Sequence, residues 1–95
     1  MTLEEFADKH GLVMEVHERN RPVGDPMRYY AHFTDAEVRS ENGMFLSSDH
    51  GNGRTPEEAI AHYARRIEMK TLRVERGVDW KDIEVPRLVR GSDHA

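Results

Sequence analysis

The chain has 95 residues, of which 37% are hydrophobic and 34% charged, enough for one small-cored domain and too few for a second independent core. It has no cysteine, which excludes disulfides, thiolate metal sites and cysteine nucleophiles together. Eighteen acidic groups against fourteen basic ones give a formal charge of −4, and no apolar run approaches the roughly 18 residues of a membrane span. With no basic-then-apolar leader at the N-terminus, a cytoplasmic protein is expected.

The first predicted element is a helix beginning after Thr2. Thr2 and Glu5 have the spacing of a capping box, in which each side chain satisfies the other residue's backbone N–H. Leu3, Phe6, Ala7 and His10 form one apolar stripe, and Gly11 stands where a left-handed cap is wanted. From Leu12 the period becomes two. Leu12, Met14 and Val16 are expected to face a core, with Val13, Glu15 and His17 opposite.

The prolines and glycine of residues 20–26 predict a loop. A second strand follows, with Met27, Tyr29, Ala31 and Phe33 on one face and Arg28, Tyr30 and His32 on the other. Thr34-Asp35 predicts a bulge or a tight turn, after which pairing resumes over 36–39. Asn42-Gly43 is the strongest hairpin signal, because both residues tolerate positive φ. Residues 44–48 form the returning strand, and residues 47–53 read as a polar, glycine-rich loop.

Thr55, Pro56 and Glu58 then start a second helix, whose expected buried stripe is Ile60, Tyr63, Ala64 and Ile67. Arg65 and Arg66 complement the negative end of its dipole. Leu72 and Val74 suggest a short strand and Ile83 and Val85 another, with Gly77 turning between them and Pro86 marking an end. The expected fold is a two-layer α+β domain over residues 1–89. An antiparallel three-stranded sheet carries two helices on one face, with one or two short C-terminal strands, and residues 90–95 form a disordered tail.

No catalytic constellation is expected. Ser47, Ser48, Asp49 and His50 supply the residue types of a hydrolase triad, but neighbours in sequence point in different directions and no nucleophile elbow is present. No metal or cofactor is expected either. His17 and His32 lie on strands that could be adjacent, yet their spacing fits no established metal motif, and exposed strand histidines are the simpler account. Residues 51–55 lead into a helix N-terminus that Glu57 and Glu58 already complement, so a phosphate cradle is not expected.

Charge is asymmetric. Residues 1–47 hold nine acidic and five basic side chains, whereas residues 48–95 hold nine of each. Such a surface suits a protein partner, and nucleic acid is not expected as a direct ligand. The partner-binding candidates are Asp35, Glu37 and Glu41 around the hairpin, with Asp49, His50, Asn52 and Arg54 in the polar loop. Were nucleic acid the ligand, Arg54, Arg65, Arg66, Arg73 and Arg76 would carry it. An apolar edge strand at 72–74 would offer a route to a homodimer.

Three resemblances add to this reading. The helix–three strands–helix order, with Gly51-Asn52-Gly53 and Thr55 before the second helix, resembles the double-stranded-RNA-binding domain. That family reads duplex shape with lysines at the start of its second helix, where this chain has Pro56, Glu57 and Ile60. Thr55-Pro-Glu-Glu-Ala-Ile60 after a β-meander resembles the HicB-type antitoxin domain, which blocks a small basic toxin. As a whole, the segments 3–11, 51–60 and 83–88 are similar to small accessory proteins of phages and prophages. That last resemblance implies a stoichiometric, non-enzymatic inhibitor of a bacterial defence complex, of the anti-CRISPR type, acting inside the host cell.

Overall fold

A computed structural model describes residues 1–39, 43, 45–46 and 49–89, with Phe45, Leu46 and Arg76 described through their backbone alone. The first helix, α1, spans Leu3–His10. Thr2 accepts from the Glu5 amide while Glu5 accepts from Thr2, and Gly11 closes the helix at φ 64°. The capping chemistry of the sequence is thus reproduced at both ends.

Strands β1 (Met14–Glu18) and β2 (Tyr29–Phe33) pair antiparallel, with Glu15 opposite His32 and His17 opposite Tyr30. Strand β5 (Gly51–Gly53) completes a three-stranded sheet in the order β1-β2-β5. The chain leaves this sheet at Thr34–Asp35, where Asp35 takes φ 57°. It then enters a second, four-stranded antiparallel sheet of order β4-β3-β6-β7. Its members are β3 (Ala36–Arg39), β4 (Phe45–Leu46), β6 (Thr71–Arg76) and β7 (Asp79–Glu84). The turn expected at Thr34–Asp35 is therefore the crossing between two sheets. Gly43 has φ 87° and β3 and β4 pair around it, whereas Asn42 itself lies outside the described residues, as do Met44 and the 90–95 tail.

The α+β class and the helix–strands–helix–strands order hold. Some sequence readings are corrected. Residues 51–53 belong to a sheet and not to a loop, because Gly51 and Gly53 put no side chain between strand and helix and so leave no apolar periodicity to read. Leu72–Val74 is not an edge, since β6 lies between β3 and β7 and has both sides paired. That route to a homodimer is closed.

The helix α2 (Pro56–Ile67) crosses the inner face of the three-stranded sheet. Its N-cap Thr55 accepts from the Glu58 amide, and Glu58 in turn accepts from Arg54 N–H. One core unites the two sheets and both helices. Leu3 and Phe6 come from α1, Phe33 and Val38 from β2 and β3, Tyr63 and Ile67 from α2, and Leu72, Val74 and Ile83 from β6 and β7. Val16, expected inside, is 38% exposed because β1 is an edge strand that α2 only partly covers. The Tyr63 hydroxyl is buried, and that burial pushes its pKa up to about 12, outweighing the opposing effect of the Phe33 backbone.

His62 closes the outer edge of β5. Its Nδ1 accepts the Asn52 backbone N–H at 2.8 Å, which requires a lone pair on that nitrogen. Burial, together with the nearby Arg66 and Arg65 guanidinium groups, lowers its pKa from the ordinary 6.5. Below about pH 6.5 the unfolded chain takes up a proton that the folded ring resists. Stability present at neutral pH is therefore lost as pH falls from that value through the lower folded pKa. Thermal unfolding of the wild type between roughly pH 7 and 5 is expected to show a larger drop in Tm than His62→Asn, which cannot titrate. Parallel curves would contradict this role for His62.

Candidate functional site

The inner face of the three-stranded sheet is covered by α2, and no helix among the described residues covers the outer face. Alternation along the strands assigns residues to it. Ala31 and Phe33 are buried beneath the helix, so Tyr30 and His32 point the other way. Their register partners Glu15, His17 and Asn52 share that outer face. Gly51 and Gly53 face α2 so closely that a Cβ on Gly51 would lie 2.1 Å from the Tyr63 amide nitrogen.

On the outer face the rings pack against one another. His17 and Tyr30 stack with centroids 4.8 Å apart and 20° between planes, and His17 and His32 stack at 5.6 Å and 15°. The Arg19 guanidinium lies 4.3 Å from the Tyr30 centroid, a cation–π contact, and His50 meets the same ring edge-on at 5.3 Å. Arg19 also donates to Asn52 Oδ1 at 2.8 Å and to the Met27 carbonyl at 2.9 Å, and its Nη2 lies 3.0 Å from His50 Nε2. Arg19 thus ties β1 to β5 across the strand between them.

At the other end of the face, Glu15 accepts from Thr34 Oγ1 at 2.6 Å and lies 3.0 Å from His17 Nε2. These two hydrogen bonds, Thr34 first, lower the Glu15 pKa from its ordinary 4.5, so the carboxylate is ionised at neutral pH. His32 Nδ1 is 3.0 Å from the Phe33 carbonyl. Ligating atoms of Glu15, His17 and His32 all lie within 4.8 Å of one another. Sequence spacing concealed this cluster, because cross-strand register brings the residues together and their separation along the chain does not.

The residues singled out in the sequence are dispersed. His50 and Asn52 join the outer face. Asp49 does not: its side chain is 7% exposed and accepts from Arg66 Nε at 2.6 Å, holding the incoming loop to α2. Arg54 and Arg65 are exposed at opposite ends of α2. Asp35 is exposed at the sheet crossing, where its carbonyl accepts from the Glu75 amide. Glu37 lies opposite Arg73 on the second sheet, and Arg73 donates to Asp82 at 3.0 Å. Glu41 and the Arg76 side chain lie outside the described residues. The described acidic and polar-loop candidates therefore do not form one surface.

Arg19, Tyr30, His17 and His32 are the members that sequence reasoning passed over as site residues. The available signal was the alternation itself, which put aromatic and cationic side chains on the faces of both strands opposite the apolar sets. Trp80, the single tryptophan, is 53% exposed on β7 and was likewise missed.

A cavity of about 140 Å³ lined by Gly11, Leu12, Thr34, Asp35 and Glu75 is well below the roughly 300–1,000 Å³ of small-molecule sites. No helix among the described residues is long and apolar enough to cross a membrane. Comparison with known proteins finds no matching family model, no similar curated protein and no similar solved structure.

Proposed function

We propose that this protein is a non-enzymatic binding module that acts stoichiometrically on a protein partner through the outer face of its three-stranded sheet. The observation that carries this reading is the array of Arg19, Tyr30, His17, His32, His50 and Asn52. Aromatic and arginine side chains held rigidly by one another lose little entropy on docking, and such residues dominate interface energetics. The resemblance to phage accessory proteins makes a bacterial defence complex the first partner to test.

Protein is favoured over nucleic acid on two grounds. Tyr30 already has the Arg19 guanidinium and the His17 imidazole against its ring, so a base would compete with both for the surface that stacking needs. Arg66 and Arg73 are paired with Asp49 and Asp82, which weakens the cationic set that phosphates would require. Affinity capture from a bacterial lysate is expected to recover a protein in fixed stoichiometry. Mobility-shift assays with duplex RNA, duplex DNA and single strands are expected to show no salt-sensitive complex. A salt-sensitive shift without a stoichiometric protein would reverse the assignment.

A further inference from the structure

We propose that Glu15, His17 and His32 form a binding site for a zinc-class divalent metal ion on the outer face of the three-stranded sheet. The inference stands on the register of β1 and β2 and holds whatever the face docks against. Glu15 is directly opposite His32, and His17 is two residues along the same face, so one strand pair supplies all three groups.

The geometry fits a first-row divalent ion. Zinc–ligand bonds of about 2.0–2.2 Å place tetrahedral ligands about 3.3 Å from one another. Glu15 Oε1 and His17 Nε2 are already 3.0 Å apart, and the full set lies within 4.8 Å. The His17 and His32 rings stack at 15°, so to bring both in-plane lone pairs onto one ion the imidazoles would turn out of that stack. The 3.0 Å gap between His17 Nε2 and Glu15 Oε1 is the place that the cation would take.

Each flank of the cluster has an orienting contact of the kind that metal sites use. His32 is 3.0 Å from the Phe33 carbonyl through Nδ1, so an Nδ1–H tautomer donates there and leaves the Nε2 lone pair for a metal. Thr34 Oγ1 donates to Glu15 Oε2, leaving Oε1 toward His17. His17 and Glu15 are 41% and 36% exposed in their side chains, so an ion can enter from solvent without opening the fold.

Two imidazoles and one carboxylate suit zinc, cobalt or nickel better than calcium or magnesium, which prefer oxygen ligands throughout. Three protein ligands leave a fourth position for water or for a group from a partner.

The test is isothermal titration of the full chain with zinc, together with cobalt titration followed by visible absorption. One ion per chain is expected to bind, with cobalt giving the d–d bands of a tetrahedral or five-coordinate nitrogen–oxygen site. His17→Ala and His32→Ala are each expected to lower affinity at least tenfold, and Thr34→Val by about ten- to a hundredfold. His10→Gln, on α1, is expected to leave it unchanged. All of these positions except His10 lie on the open sheet face, and circular dichroism of each variant verifies folding. Absence of stoichiometric binding, or equal affinity in folded His17→Ala and His32→Ala, would overturn the assignment.

Discussion

Gly51→Ala is expected to destabilise the protein by about 3 kcal/mol, the upper end of the usual overpacking cost, and Gly53→Ala by a similar amount. A Cβ at residue 51 would lie 2.1 Å from the Tyr63 amide nitrogen and 2.4 Å from the Ala59 carbonyl oxygen. At residue 53 it would lie 2.4 Å from the Ala59 amide nitrogen and 2.5 Å from Glu58 Cβ. Most of these obstacles are backbone atoms of α2, which no rotamer change can move aside. The helix would have to lift from β5, breaking the Asn52–His62 hydrogen bond and loosening the packing of Ala59 and Tyr63. A domain of this size has only about 5–14 kcal/mol of stability to lose. Gly24→Ala is the control. Its Cβ would meet nothing within 4 Å, and the cost there, about 1 kcal/mol, comes from φ +87° alone. Chemical unfolding of the three variants is the measurement, and equal losses at Gly51 and Gly24 would contradict the close approach of α2 to β5.

Phe33→Ala is expected to cost about 3–5 kcal/mol and to lower Tm by at least about 12 °C. Phe33 ends β2 just before the chain crosses to the second sheet, and its side chain is fully buried. Its ring meets Tyr63 of α2 edge-on at 5.5 Å and lies 6.4 Å from Phe6 of α1. Truncation would leave a cavity where both helices and the two sheets converge, and these elements are too constrained to collapse into it. Calorimetry decides the point. A loss below about 1 kcal/mol would show that the core reorganises around the gap.

Much of this architecture was legible in the residues themselves. Thr2 with Glu5, Gly11, and Thr55 with Pro56 set helix ends through local chemistry, which needs no tertiary information. The alternation at Tyr29–Phe33 identified the buried face of β2 because that strand is central and one side is covered. Two features depended on long-range contacts and were not legible. Gly51 and Gly53 form a strand because α2 presses on them, and a glycine carries no hydrophobic signal of its own. The interruption at Thr34-Asp35 was legible as a bulge or turn, but its role as the crossing into a second sheet was not, because β3 pairs with β6, which lies far along the chain.

The outer face was half legible for the same reason. Alternation placed His17, Tyr30 and His32 away from the apolar sets, but only the β1–β2 register puts Glu15 against His32 and His17 against Tyr30. Asp49 illustrates the opposite error. As a lone acidic residue in a polar loop it resembles an exposed contact, yet it is an internal partner of Arg66. Fractional exposure, which no sequence pattern encodes for a single loop residue, separates the two cases.

The central assignment is that binding uses the open sheet face and not the acidic positions. It is tested most directly by measuring the captured partner's affinity for two double variants, Arg19→Ala with Tyr30→Ala, and Asp35→Lys with Glu37→Lys. Loss of the sheet-face pair is expected to weaken binding at least tenfold, while the charge-reversed pair stays within about threefold of wild type, changing chiefly the on-rate at low salt. A partner that tolerates the first pair and is lost with the second would place the contact on the acidic surface instead.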